Sequence, residues 1–374
     1  MAGLTATFRL GAEGPAVVEI QSALVHLGLL PAGDRTCFDQ PTDWAVREFQ
    51  QNRGLVVDGI VGPETWGALQ AARLSLGDRL LHLTSKMFAG DDVTALQERL
   101  TELGFDTGRV DGVFGPLTET ALKGFQREYG MVSDGVCGPA TLRALKQLGR
   151  LVTGGRPHAM RESEQLHRSG AALAGKVVVI DPAHGGDDRG GTGNGLEEAA
   201  VVLDLAARLE GRLTAVGVRT VVTRGADSCP TDAERAALAN EVRADLVISL
   251  HVDRSDSPHC NGVATYHYGT GSGTTSTVGE QLASLVQREV VARTDLTDCR
   301  VHAKTWTMLR LTQMPAVRLE LGHVSHPGDA ARLADPAFRD TVAEAVLVAV
   351  QRLYLPVDQD PPTGVLRLPD LAHL

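Results

Sequence analysis

No stretch of this 374-residue chain is apolar for long enough to cross a membrane as a helix. The opening residues, Met1-Ala2-Gly3-Leu4-Thr5-Ala6-Thr7-Phe8-Arg9, hold no apolar h-region. No secretory signal is legible there, and a cytoplasmic protein is the expectation. A basic excess is also missing. The 36 Lys and Arg face 46 Asp and Glu, for a net charge of −10. That argues against nucleic acid or an anionic membrane as a partner. The five cysteines (Cys37, Cys137, Cys229, Cys260 and Cys299) are odd in number, widely spaced and without a C-x-x-C. They fit reduced thiols better than a disulfide framework. What remains is an ordinary globular composition, 43% hydrophobic and 22% charged, spread over a length that suggests two or three domains.

The first 150 residues contain an internal repeat. Ile20-Gln21 corresponds to Leu96-Gln97, Leu27-Gly28 to Leu103-Gly104, Phe49-Gln50 to Phe125-Gln126 and Leu69 to Leu145, every pair offset by 76 residues. Asp58-Gly59-Ile60-Val61-Gly62-Pro63-Glu64-Thr65 likewise corresponds to Asp134-Gly135-Val136-Cys137-Gly138-Pro139-Ala140-Thr141. Each unit reads as three short helices. Val93, Leu96, Leu100 and Leu103 form one apolar stripe, and Ala121, Leu122 and Phe125 begin another. Asp-Gly supplies a turn, and Gly-Pro opens the last helix with proline where its missing N–H costs nothing. The second unit echoes its own turn at Asp111-Gly112, a feature degraded in the first unit. Trp44 and Trp66 occur only in the first unit. The units span 14–72 and 90–148, and a Gly- and Arg-containing linker follows over 149–175.

From residue 176 to 355 strands alternate with longer helices. Strands are predicted at 176–181, 218–223, 245–250, 262–268 and 316–321, and helices at about 197–215, 231–243, 278–293 and 336–354. The fold class is therefore α/β: a twisted, mostly parallel sheet with helices on both faces, preceded by two small three-helix modules. Residues 356–374 read as a flexible tail.

Two histidines follow apolar, β-branched runs. His184 comes after Val177-Val178-Val179-Ile180 and His251 after Leu246-Val247-Ile248. Both are placed beyond the carboxyl ends of buried strands, where open α/β sheets bind ligands. Glu320 lies near the end of a third such strand. Glu198 begins the helix after the His184 loop, with Glu197 as its adjacent competitor. Two neutral imidazoles and one carboxylate can hold a zinc ion and leave a position for water. A second, unligated carboxylate can move the water proton to a leaving nitrogen, and Glu320 suits that role. This is the chemistry of amide hydrolysis. His323 and His326 flank the same edge and read as loop histidines. His267 and His302 read as surface or rim groups, and Arg224 and Arg235 as ion partners in the structure.

These phrases resemble the zinc-dependent N-acetylmuramoyl-L-alanine amidases of the Amidase_3 type over Val177 to about Tyr354. The matching residues are Ile180-Asp181-Pro182-x-His184-Gly185-Gly186, Glu198, Thr223-Arg224-x-x-Asp227, Arg235, Ala239-Asn240, Ala244-Asp245-Leu246-Val247-Ile248-Ser249-Leu250-His251 and Pro315-Ala316-Val317-x-Leu319-Glu320-Leu321-Gly322. The resemblance implies that His184, Glu198 and His251 bind zinc. It implies that Glu320 is the catalytic glutamate in cleavage of the bond between muramic acid and L-alanine. Both N-terminal units resemble the three-helix peptidoglycan-binding module, which implies peptidoglycan as partner.

Four positions depart from the family pattern. Ala183 stands where glycine is usual, Asp253 where asparagine is common, His323 for an aromatic residue and His326 for an asparagine. Ala183 adds a Cβ where unusual torsions are expected. Asp253 is a candidate to hydrogen-bond a ligand histidine from behind, with Arg224 and His323 at the rim. The module order also resembles the actinobacterial CwlM-type proteins. That resemblance implies an alternative: a cytoplasmic regulator on an amidase scaffold, whose partner would be a cell-wall precursor enzyme. Thr363 in the tail is then a candidate phosphosite. Export without a recognisable signal, followed by association with the wall, is the other localisation left open.

Overall fold

The computed structural model describes residues 7–33, 36–149, 162, 164, 166, 168–257, 259–270 and 275–355. Thr363, the rest of the expected tail and most of the expected linker lie outside the described residues. The chain divides into two compact units, one carrying the N-terminal repeats and the other beginning at Glu162.

In the N-terminal unit each repeat is three helices. They are α1 (Pro15–His26), α2 (Gln40–Asn52) and α3 (Pro63–Ala72), then α4 (Asp91–Glu102), α5 (Pro116–Glu128) and α6 (Pro139–Gly149). The offset seen in sequence reappears in the packing. Ile20, Leu24, Val46, Phe49 and Leu69 are fully buried in the first repeat, and Leu96, Leu100, Leu122, Phe125 and Leu145 fill the same places in the second. Each such side chain contributes about 1.5–3 kcal/mol on burial.

The polar repeat residues have a physical reason as well. Gln126, buried, donates from Nε2 to Asp134 Oδ1 at 2.7 Å and to the Val136 carbonyl at 3.1 Å. Its Oε1 accepts the Gly135 N–H at 2.8 Å. Gln50 does the same to Asp58, Ile60 and Gly59. One buried amide thus satisfies the backbone of the Asp-Gly turn, and that turn sets up the Gly-Pro start of the third helix. Gln97 repeats the pattern on Asp111, Val113 and Gly112. Gln21, where the motif is degraded, reaches only the Cys37 carbonyl and Thr42 Oγ1 from its Nε2 among the described residues.

The C-terminal unit is built on a six-stranded sheet. Its strands are β1 (Val177–Pro182), β4 (Arg219–Val222), β5 (Leu246–Asp253), β6 (Val263–Tyr268), β7 (Asp298–Lys304) and β8 (Ala316–His323). The order is β4-β1-β5-β8-β6-β7. The β4, β1, β5 and β8 strands run parallel, while β6 is antiparallel to β8 and parallel to β7. A two-stranded ribbon, β2 (Thr192–Gly193) and β3 (Leu196–Glu197), lies in the loop after β1.

The strand residues alternate between two cores. Val178, Ile180, Leu246, Ile248, Leu250, Val317 and Leu319 face the helices α7 (Glu198–Ala215), α9 (Thr277–Arg293) and α12 (Pro336–Tyr354). Val179, Val247 and Ala316 face α8 (Asp232–Glu241) and the short α10 (Thr307–Leu311). A further helix, α11 (Pro327–Ala334), follows β8. The expected strands and long helices are present to within two residues at each end, except that β5 runs three residues further than expected and so takes in His251, which was placed just beyond it. β7, the ribbon, α10 and α11 were not expected. β7 is an edge strand with polar residues at Arg300, His302 and Lys304, so it carries no apolar run to announce it.

Candidate metal centre

β1 ends in a polar knot that shapes the loop carrying His184. Asp181 is buried and accepts from Thr223 Oγ1 at 2.6 Å, Ser249 Oγ at 2.7 Å and Arg235 Nη1 at 2.7 Å. Burial alone would push its carboxyl up. The Arg235 charge and the three hydrogen bonds outweigh that and hold it below the usual carboxylate range. Arg235 also donates to the carbonyls of Pro182 and His184 at 2.8 Å each. Arg224 donates to the carbonyls of Pro182 and Ala183 at 2.7 Å each and to that of Ala199 at 3.0 Å. The two arginines therefore fix the backbone of the loop from behind. Arg224 lies beneath the site, not at its rim.

The unusual torsion expected at Ala183 falls one residue later. His184 has φ +57°, whereas Ala183 is not among the positive-φ residues and is buried in the core. The left-handed turn at His184 is one that few non-glycine residues adopt, and the arginine clamp holds it in place.

Glu198, the first residue of α7, is buried and central. Its Oε2 lies 3.2 Å from His184 Nε2 and its Oε1 3.2 Å from His251 Nδ1. The Gly191 N–H donates to Oε2 at 2.8 Å and the Val252 N–H to Oε1 at 3.1 Å. His184, Glu198 and His251 each offer one ligand atom, and all of these lie within 4.8 Å of one another. Two imidazole nitrogens and a carboxylate oxygen converging in this way fit a borderline divalent cation. Glu197 is excluded from the set, because its carboxylate pairs with Arg189 at 2.7 Å.

The electrostatics agree with that geometry. Burial opposes charge on Glu198, but hydrogen bonds from His184, His251 and Gly191 outweigh it and hold the carboxyl well below its ordinary range. The His184 imidazole is pushed up to about 8, chiefly by its hydrogen bond to Glu198, with Asp188 adding to the effect. His251 is pushed down by burial and by the Arg318 charge, which favours the neutral form a metal needs.

The carboxylate behind a ligand histidine is Asp188, which the sequence reading did not single out. Its Oδ2 lies 2.8 Å from His184 Nδ1 and so orients Nε2 inward. The spacing His184-x-x-x-Asp188 was its only signal, in a glycine-rich loop with no periodicity to read. Asp253, expected to approach a ligand histidine, faces elsewhere: its Oδ2 lies 3.5 Å from His323 Nε2. A register shift after His251, with the extra residue in β8, sets Asp253 opposite His323. His323 is held over Asp253 and Asp329. His326 caps α11, its Nδ1 accepting the Asp329 N–H at 3.2 Å, a task an asparagine also performs. His302 bonds the Cys299 carbonyl at the edge strand, and His267 is buried on β6, so neither joins the centre.

Glu320 sits on β8 as the register partner of His251 on β5. It is mostly buried, and its Oε1 accepts from Arg318 Nη2 at 2.8 Å and Nε at 3.1 Å. The centre therefore has three converging candidate ligands and a separate carboxylate on the neighbouring strand. Among the described residues no helix is long and apolar enough to cross a membrane.

Comparison with known proteins places names beside this geometry. A family model described as N-acetylmuramoyl-L-alanine amidase matches residues 178–352. One described as a peptidoglycan binding domain matches residues 13–69 and 89–145. N-acetylmuramoyl-L-alanine amidase CwlM of Mycobacterium tuberculosis is 48% identical over 381 residues, covering 98% of this chain and 94% of that protein. N-acetylmuramoyl-L-alanine amidase LytC of Bacillus subtilis is 32% identical over 174 residues, covering 46% of this chain and 34% of that protein. Among solved structures, the amidase AmiC2 of Nostoc punctiforme is 31% identical, covering 47% of this chain and 96% of that one, with a TM-score of 0.44.

Proposed function

The chain belongs to the N-acetylmuramoyl-L-alanine amidase family, and from that premise we propose that it hydrolyses the amide between N-acetylmuramic acid and L-alanine in peptidoglycan, using zinc. The observation that carries this reading is the convergence of His184, Glu198 and His251 with Glu320 on the adjacent strand. When bound, zinc supplies Lewis-acid polarisation and a water of lowered pKa.

The protein's own residues do the rest. His184, His251 and Glu198 would hold the ion. Asp188 fixes the His184 ring, and the N–H groups of Gly191 and Val252 fix the Glu198 carboxylate. Glu320 takes a proton from the attacking water as its oxygen bonds to the lactyl carbonyl carbon. It then passes that proton to the amide nitrogen as the C–N bond breaks, leaving a free lactyl carboxylate and a free L-alanine amine. The two N-terminal modules bring the unit to insoluble wall by binding peptidoglycan.

Digestion of purified muropeptides by the zinc-loaded protein, followed by mass spectrometry, tests the proposal. Release of stem peptides with a free L-alanine amino terminus is expected. A zinc-loaded protein that leaves that bond intact would overturn it. Such a result would favour the alternative, a regulator of precursor synthesis on an amidase scaffold.

A further inference from the structure

Glu320 is not held by the metal ligands; it is held by Arg318. Both residues lie on β8, two apart, and so project to the same face of the sheet. That face carries His251, the register partner of Glu320. Arg318 Nη2 and Nε both donate to a single oxygen, Oε1, at 2.8 and 3.1 Å. Neither of these donors is spent on Oε2.

The guanidinium is itself fixed. Its Cζ lies 4.2 Å from the centroid of the Trp306 ring. Trp306 is buried at the start of α10, and its ring packs 4.7 Å from that of Tyr266, the register partner of Arg318 on β6. The Tyr266 phenol is pushed up by burial, then by the Glu320 charge and by a hydrogen bond to that carboxylate, so it too lies against Glu320. A cation stacked on an aromatic face and bonded to a carboxylate retains little orientational freedom.

We infer that Arg318 is a positioning residue for hydrolysis: stacked on Trp306, it anchors Glu320 by Oε1 and leaves Oε2 to receive the proton of the attacking water. The inference rests on the reading of Glu320 as the base. A general base must reach its proton within hydrogen-bond distance, and an unanchored glutamate on a strand samples several rotamers of which few do so. Arg318 therefore acts through Glu320 without contacting the reacting atoms, and its removal lowers turnover, not substrate affinity.

The test compares wild type, Arg318→Met, Arg318→Lys, Glu320→Gln and the Arg318→Met/Glu320→Gln double variant, each zinc-loaded, on a soluble N-acetylmuramoyl-L-alanine muropeptide. Arg318→Met is expected to lower kcat by roughly 10- to 100-fold with KM within about twofold. Zinc content should be unchanged, Arg318→Lys should recover part of the loss, and the double variant should be no slower than Glu320→Gln alone. Three results would overturn the inference: wild-type kcat in Arg318→Met, a change confined to KM, or a double variant that suffers the product of both losses. Glu320→Gln at wild-type speed, or an inactive wild type, would instead overturn the reading beneath it. Should Arg318→Met not fold, Trp306→Phe is decisive, because a smaller ring under the guanidinium must lower kcat in the same sense, and unchanged kcat refutes the anchor.

Discussion

His251 and Glu320 are register partners on the parallel strands β5 and β8, so a candidate ligand and a candidate base stand side by side at one sheet edge. Adjacent parallel strands lie about 4.8 Å apart. That spacing brings Glu320 next to the centre without making it a fourth ligand. The proposed division of labour between three ligands and one unligated carboxylate follows from this pairing.

Zinc affinity should depend on pH through His184. Its imidazole is raised to about 8 by Glu198, so below that pH a cation must displace a proton to bind. His251 is lowered and adds nothing in this range. The apparent association constant should rise by about tenfold per pH unit from pH 6 toward 8 and then flatten. Competition with a chelator at several pH values measures this, and an affinity constant across the range would refute it.

Asp188→Ala should weaken zinc binding by roughly 10- to 100-fold, because His184 loses the partner that orients its ring. Asp253→Ala should leave zinc affinity near wild type, since that carboxylate faces His323. Isothermal titration of both variants separates the two carboxylates.

Gly190→Ala should damage the centre from the backbone. Gly190 has φ +66°, and a Cβ there would lie 2.6 Å from both Glu198 Oε2 and His184 Cδ2. The strain costs about 1–3 kcal/mol and is relieved only by moving a ligand. A lowered melting temperature together with weakened zinc binding is the expected pair of results, and a variant with both unchanged would contradict it.

Arg235→Met should destabilise the C-terminal unit by about 3–5 kcal/mol, because it strands Asp181 as a buried charge without its cation. The pH dependence has a definite sign. In the wild type the Asp181 carboxyl lies below its ordinary value, so its contribution is present above about pH 4 and is lost on further acidification. In the variant that carboxyl moves up, and protonation relieves it. The gap between wild type and variant should narrow from pH 7 to pH 3 in urea melts, and a widening gap would contradict the assignment.

Much of this was legible in the sequence, for identifiable reasons. His184 and His251 each follow a β-branched apolar run, and such runs form the central strands because those are buried on both faces. The 76-residue offset foretold matched cores, since Ile20 and Leu96, or Phe49 and Phe125, do the same packing. Asp188 and Arg318 were not legible. Asp188 sits in a glycine-rich loop whose course depends on two arginines from later elements. Arg318 alternates along a strand as an ordinary polar residue does, and its role depends on Trp306 and Tyr266, brought in from α10 and β6. Strand β7 was missed because an edge strand needs no apolar run, and the expected partner of Asp253 changed because an extra residue in β8 shifts the register and sets Asp253 opposite His323.

Zinc content measured beside amidase turnover tests whether the ligands and the base are separate groups. Glu320→Gln should hold zinc in equimolar amount, as the wild type does, while losing roughly 100-fold or more in kcat, whereas His251→Ala should lose both zinc and turnover. A Glu320→Gln protein that turns over like the wild type, or that fails to retain zinc, would contradict this separation of roles.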